Sequence, residues 1–503
     1  MYVKPIDTRP DATLWVNVAD GKAVLPDGRP YRMGLTGDRL TLAKLLEFVL
    51  WCSATRVMFV GEPLPRSFFM TDIPGWSHGI HYLTDASSSV YRFFSPTLKV
   101  EMRRTAEWFG EGDYDAFDAA SAWSKLDKVL YASGRYGASL KRGPAATGAD
   151  LWLRTHQGNI PEPLDDDVQD LIRSWSPQHR IQIFPPASQK IPGFHVIDGR
   201  FMYAALTREL GQGPIAWLRG KDAQNLFQRN PFARARCLVR FKAPEGYTSK
   251  ICPLPVKAKG SEKDWDWTAT EGETWADSAE ILVAQRMGWR LEFIEGIKFT
   301  TARPLDTWTA RILRARDLLA SPKESLGERE IVLNMVSGAL RTILLYGIGQ
   351  FHSCGRQEQT ISDSPMTRPA GEGWMEPVMI EDGKALWRRE ARIISDRQRA
   401  LRHPEFSAQV WGRAHAHILS GPTGKVTLSD GSQEPGKAGL LHTPEQEIIA
   451  VYGDAIMTTK VPDWARLDDG KPGRLRLKGS FTGEVEWPKT ARQRDALVRK
   501  AES

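Results

Sequence analysis

Cysteine is scarce. Cys52, Cys237, Cys252 and Cys354 are widely scattered along 503 residues, and no Cys-x-x-Cys pair exists. That spacing argues against a structural zinc site and against a disulfide framework. Four reduced thiols, mostly buried, are expected. No apolar run approaches the roughly 20 residues that span a bilayer. The start, Met1-Tyr2-Val3-Lys4-Pro5, lacks the apolar stretch of a signal peptide. A cytoplasmic protein with no membrane partner is expected. No repeat period and no long low-complexity tract is visible. No Gly-x-Ser-x-Gly nucleophile elbow is present. Gly421-Pro422-Thr423-Gly424-Lys425 has the wrong glycine spacing for a phosphate-binding loop, and Val426 stands where Ser or Thr is needed. His415 and His417 are two apart, so a helix points them in different directions and a shared metal is not expected. His352 and Cys354 read as structural.

Apolar residues make up 41% of the chain and charged residues 26%. That composition supports a sizeable core, and the length suits two to four packed domains. The net charge of +7 favours a polyanionic partner no more than it favours a plainly solvated basic surface. The 18 tryptophans read mainly as core.

Residues 1–135 read as a mixed α/β unit, with strands at Thr13–Val18 and Arg56–Val60, a helix at Leu42–Trp51 and helical character over 98–130. Residues 136–190 are rich in Gly, Pro and polar residues, and Gly143–Gly148 reads as a linker. Short strands follow at Gly193–Asp198 and Arg236–Phe241. Residues 272–289 read as a helix, Arg290–Ile294 as a strand and 307–351 as mostly helical. A hairpin is expected at 370–383, a helix at Pro404–Leu419 and a loop at Gly424–Gly439. Glu447–Tyr452 is a strong strand.

Three segments carry chemistry together. In Phe194-His195-Val196-Ile197-Asp198 an apolar strand delivers an acid at its end, and Tyr203 follows five positions later. Arg341 to Phe351 form a helix with a basic start. In Ile448-Ile449-Ala450-Val451-Tyr452-Gly453-Asp454 a second strand delivers a second acid. Phosphoryl transfer to a 3′-hydroxyl is helped by two metal ions about 4 Å apart. Mg²⁺ takes hard oxygen ligands and keeps some waters. Two carboxylates on adjacent strands would supply that platform, and a helical arginine would cancel triphosphate charge.

The order and content resemble motifs A, B and C of the family B DNA polymerases. Motif A reads Asp-x-x-Ser-Leu-Tyr, and Asp198 and Tyr203 keep that spacing. By resemblance Asp198 is a metal ligand and Tyr203 the ribose-excluding gate. Motif B reads Lys-x-x-x-Asn-Ser-x-Tyr-Gly-x-Phe. Placing Gly349-Gln350-Phe351 on its end puts Arg341 on the lysine; a register on Tyr346-Gly347 puts Ala339 there instead. Motif C reads Tyr-x-Asp-Thr-Asp-Ser-Ile. If Asp454 is its second Asp, Tyr452 replaces the first. If Asp454 is the first, Ile456 replaces the essential ligand. Arg236 to Pro255, ending in Ile251-Cys252-Pro253-Leu254-Pro255, resembles the palm strand that leads to a Leu-Pro segment. Arg474 to Gly479 resembles the strand after motif C, which puts Lys478 on the primer-template.

The resemblance implies an α/β polymerase of palm, fingers and thumb: palm at 191–310 and 376–465, fingers at 311–375 and thumb at 466–503. It implies a degenerate RNase H-like domain over 1–135, followed by a linker region over 136–190. Residues 1–70 contain no Asp-x-Glu, and Asp113, Asp115 and Asp118 sit in a helical, solvent-like pattern, so no 3′–5′ exonuclease is expected. The implied cofactors are two Mg²⁺ ions, with Mn²⁺ as a substitute, held by Asp198 and Asp454. The implied partners are primer-template DNA, dNTPs and a replication or priming protein. Seven basic residues between Lys384 and Arg402, Arg388 and Arg392 among them, form either a solvated helix face or a phosphate-contacting surface. Two alternatives stand beside the polymerase: a polymerase-like DNA-binding factor without catalysis, and a nuclease using the same acids.

Overall fold

The computed structural model describes residues 6–502 apart from 35–39, 70, 82–89, 136, 187, 262–263, 354–355, 363, 371–373, 380–383 and 392–395. Arg392 and Cys354 therefore lie outside the described residues, as does part of the hairpin expected at 370–383. The fold is mixed α/β with several separate sheets. The chain divides into two compact units, one of residues 1–159 with 307–347 and one of residues 160–306 with 348–503.

The first unit is built on a seven-stranded sheet. Its order is Pro30–Arg32, Lys22–Val24, Thr13–Asn17, Arg56–Val60, Lys99–Arg104, Val90–Phe94, Ser77–His81. Thr13–Asn17 runs parallel to Arg56–Val60, with Leu14 opposite Val57 and Val16 opposite Phe59. A parallel pair needs a crossover, and the helix Leu42–Cys52 supplies it. Thr41 caps that helix, and Leu42, Leu45, Leu46 and Val49 form its buried stripe against Leu14 and Phe59. Strands buried on both faces read as continuous apolar runs, which is why Arg56–Val60 was legible. Trp123 packs against Trp15 and Trp108 at centroid distances of 5.7 and 4.7 Å, and the buried Arg56 guanidinium lies 4.6 Å over its ring.

Several expectations change here. Residues 98–130 are not one helical stretch: a strand, Lys99–Arg104, comes first, and the long helix is Ala116–Ala132. Asp115 caps that helix, but Asp118 is not solvent-like: it is 2% exposed and pairs with Arg329 at 2.5 Å. The supposed linker at 143–148 opens the helix Pro144–His156. Pro144 suits its first turn, where no backbone N–H is needed. Gly148 serves packing: a Cβ there would lie 2.7 Å from the Ile343 carbonyl and 2.9 Å from the Gly347 Cα. The helix Glu330–His352 is long and apolar enough to cross a membrane by length and composition, contrary to expectation, and half of that window is buried within the protein.

The second unit holds a five-stranded and a four-stranded sheet. The four-stranded sheet runs Gly211–Arg219, Arg290–Thr301, Ala235–Lys242, Glu271–Asp277. Residues 272–289, read as one helix, are the end of the Glu271–Asp277 strand followed by the helix Ser278–Arg286. Asp277 and Glu280 form a capping box at the junction, which sets the switch point. Residues 424–439, read as loop, pair as the hairpin of Pro422–Thr427 and Gln433–Lys437. The basic stretch after Lys384 is not one helix face: it begins as a strand, Ala385–Ala391, and includes the one-turn helix Asp396–Arg399.

The five-stranded sheet is antiparallel throughout. Its order is Leu475–Glu486, Lys190–Gly199, Ala455–Thr458, Ile448–Tyr452, Ile181–Ile183. Ile197, Val451, Ile456 and Leu475 face one core. Phe194, Val196 and Met457 face another, closed by Leu497 of the helix Ala491–Glu502.

Candidate active site

Register places the backbones of the two predicted acids side by side. Asp198 lies directly across from Ala455 on one side and Arg476 on the other. Asp454 precedes Ala455 in the tight turn that joins Ile448–Tyr452 to Ala455–Thr458. The Gly199 N–H donates to the Asp454 carbonyl at 3.2 Å. With strands about 4.8 Å apart and a rise of about 3.3 Å per residue, the two acids are neighbours across the strands.

The turn is held from both sides. The Gly453 N–H donates to the Arg180 carbonyl at 3.0 Å. Gly453 has φ +60, the left-handed region that glycine adopts without Cβ cost. A Cβ there would lie 3.3 Å from His179 Nδ1 and 3.8 Å from the Tyr203 hydroxyl. Tyr203 is thus buried against the same turn, on the short helix Met202–Leu206 that follows Asp198. Phe201, between them, is a non-glycine residue with φ 43. Such left-handed residues persist only where their surroundings hold them. Here Arg200 N–H donates to the Arg474 carbonyl at 2.8 Å and Gly473 N–H to the Arg200 carbonyl at 2.7 Å.

Cations ring the acids. Lys478 Nζ lies 3.7 Å from Asp198 Oδ2, at a bulge in the Leu475–Glu486 strand. Arg200 and Arg476 both reach Asp468, at 2.5 and 3.6 Å. Burial holds the His179 imidazole down at about 4, so it is neutral at ordinary pH. Among the described residues no group of three or more His, Cys, Asp or Glu side chains could hold a metal. Two carboxylates are a sparse but suitable donor set for Mg²⁺, which takes its remaining ligands from water and phosphate oxygens.

The other predicted residues sit elsewhere. Arg341 lies half-buried on the helix Glu330–His352, within the first unit, whereas Asp198 and Asp454 belong to the second. Arg388 lies on the strand Ala385–Ala391, opposite Gln359. Ile456, the ligand position in the other reading of motif C, is fully buried on the opposite face of the sheet. Sequence reasoning missed His179 and Arg180, because their closeness to the acids comes from strand pairing and not from spacing. It also missed Arg494, whose guanidinium lies 4.3 Å over the Tyr452 ring.

No protein-family model matches the chain, and no curated protein does. Solved structures give the class of fold: the chain is similar to DNA polymerases. The particular neighbours are structures of phi29 DNA polymerase. Its complex with primer-template DNA and incoming nucleotide substrates is 11% identical, covers 94% of this chain and 85% of that one, and has a TM-score of 0.54. Its complex with single-stranded DNA is 12% identical, covers 88% and 78%, and has a TM-score of 0.51. At these identities the likeness is one of fold.

Proposed function

We propose that this protein is a template-directed DNA polymerase that adds dNTPs to a primer 3′ end. The observation that supports the reading is the backbone adjacency of the two acids, with the strand that follows Asp454 paired to the strand that ends at Asp198. A divalent ion, when bound, supplies charge neutralisation and an activated 3′-hydroxyl. Asp198 and Asp454 would hold Mg²⁺, in a pair of ions by resemblance. Lys478 would neutralise Asp198 in the resting site and meet primer phosphate in the complex. Tyr203 would wall off the 2′ side of the sugar. Arg341 is given the triphosphate, and Arg388 and Arg392 the DNA, by resemblance and charge alone.

The same reading gives no 3′–5′ exonuclease. The central strand Thr13–Asn17 carries no carboxylate, nor does its parallel neighbour Arg56–Val60. Glu101, on the next strand, is buried and paired with Arg103 at 2.8 Å and Arg92 at 3.1 Å. The strand order and the parallel central pair fit a degenerate RNase H-like sheet.

A second reading has its own observation. Tyr452 and the buried Ile456 occupy the two positions where motif C would hold a further acid, which favours a DNA-binding factor without catalysis. Primer extension with Mg²⁺ separates the two. Extension by wild type that Asp454→Ala abolishes supports the polymerase. DNA binding with no extension in either supports the factor.

A further inference from the structure

Paired residues across antiparallel strands share a face. Arg476, Asp198, Ala455, Tyr452 and Ile181 therefore form one row across the five-stranded sheet. The helix Ala491–Glu502 packs on that face through Leu497. Its phase is set at its start. Gln493 N–H donates to Thr490 Oγ1 at 3.3 Å, and Gln493 Oε1 accepts from the Lys489 and Thr490 N–H groups at 2.8 and 3.2 Å, a capping box. Just before it, the Trp487 indole donates to the Phe184 carbonyl at 3.0 Å and pins the chain to the sheet. Arg494 and Leu497, three apart, then point at the sheet together.

Arg494 is 2% exposed. Its guanidinium lies 4.3 Å over the Tyr452 ring and is also bonded to Asp495 at 2.6 Å, and its Nη1 is buried without a hydrogen-bond partner. A buried cation in that state is held by what it stacks on. Tyr452 is the residue immediately before the Gly453-Asp454 turn. Hydrogen bonds from Gly453 to Arg180 and from Gly199 to Asp454 fix the backbone of the turn on two sides. The stacked arginine lies on the third.

We propose that Arg494 is a positioning residue that, through the Tyr452 ring, sets the Gly453-Asp454 turn and hence the approach of the Asp454 carboxylate to Asp198. The inference rests on the polymerase reading of those two acids. The C-terminal helix is then part of the metal site's support without touching the reacting atoms. Supporting groups of this kind change metal affinity by about 10–100-fold.

The test measures Mn²⁺ binding to the full chain by electron paramagnetic resonance, and the Mg²⁺ half-saturation and dNTP KM of primer extension. Arg494→Leu should weaken Mn²⁺ about tenfold or more and raise the Mg²⁺ half-saturation similarly, with the dNTP KM unchanged. Arg494→Lys, which keeps a cation, should recover part of the loss. Tyr452→Phe, which keeps the ring, should stay within about twofold of wild type. Circular dichroism checks that each variant folds; if Arg494→Leu does not, Tyr452→Leu takes its place with the same expected loss. Wild-type Mn²⁺ affinity in Arg494→Leu, together with loss in Asp454→Ala, overturns this inference and leaves the polymerase reading standing. Mn²⁺ binding that Asp454→Ala does not change overturns both.

Discussion

Lys478 places its ammonium 3.7 Å from Asp198 Oδ2, on the strand directly beside it. A fixed positive charge at that distance occupies the field a divalent cation would use. Lys478→Met should therefore raise the Mn²⁺ affinity of the DNA-free protein several-fold while lowering primer extension. Titration of Mn²⁺ without DNA checks this, and an unchanged or weaker affinity contradicts it.

Gly453→Ala should cost about 1–2 kcal/mol of stability, because a side chain is forced into the left-handed region. The added methyl also meets His179 Nδ1 at 3.3 Å and pushes on the turn that carries Asp454. Extension should fall far more than urea stability does. Equal, small losses in both would place the turn outside the chemistry.

Gly148→Ala tests a position with no expected role in chemistry. Its Cβ would meet backbone, at 2.7 and 2.9 Å, which cannot rotate away. Overpacking of this kind costs about 1–3 kcal/mol. The loss should appear in urea unfolding, with Mn²⁺ affinity unchanged. Wild-type stability would show that the two helices are not in contact.

Stability should fall on acidification. Burial holds His179, His352 and His417 down at about 4, against an ordinary 6.5. Between 6.5 and 4 the unfolded chain binds more protons than the folded one, so each histidine removes up to about 3 kcal/mol as the pH drops. Asp277 acts oppositely: burial and then Glu280 push its carboxyl up to about 6, from 3.8, so its contribution grows as the pH falls through 6. Three groups oppose one, and urea unfolding at pH 5 should show less stability than at pH 7. Asp277→Asn, which keeps the helix cap, should steepen the fall. Greater wild-type stability at pH 5 contradicts the assignment.

The two strands that lead to Asp198 and Asp454 were legible as apolar runs ending near an acid, and they share a sheet through Ala455–Thr458, which pairs with both. The crossover helix Leu42–Cys52 was legible from its apolar stripe for the same reason. Lys99–Arg104 was not: four of its six side chains are charged, and burial of Glu101 among arginines hides the strand in a helix-like pattern. Pro144 and Gly148 read as linker because their uses, a helix start and a close helix contact, are tertiary. Arg494 was invisible for a further reason. Its partner Tyr452 is 42 residues earlier, and no spacing rule connects a cation to a ring across a sheet.

The most direct test is the position of Mn²⁺, by anomalous scattering, in crystals grown with primer-template DNA and an incoming nucleotide. Manganese bound at about 2.1 Å from carboxylate oxygens of both Asp198 and Asp454 is the predicted result. Manganese on the nucleotide alone, with those two carboxylates turned apart, would contradict it.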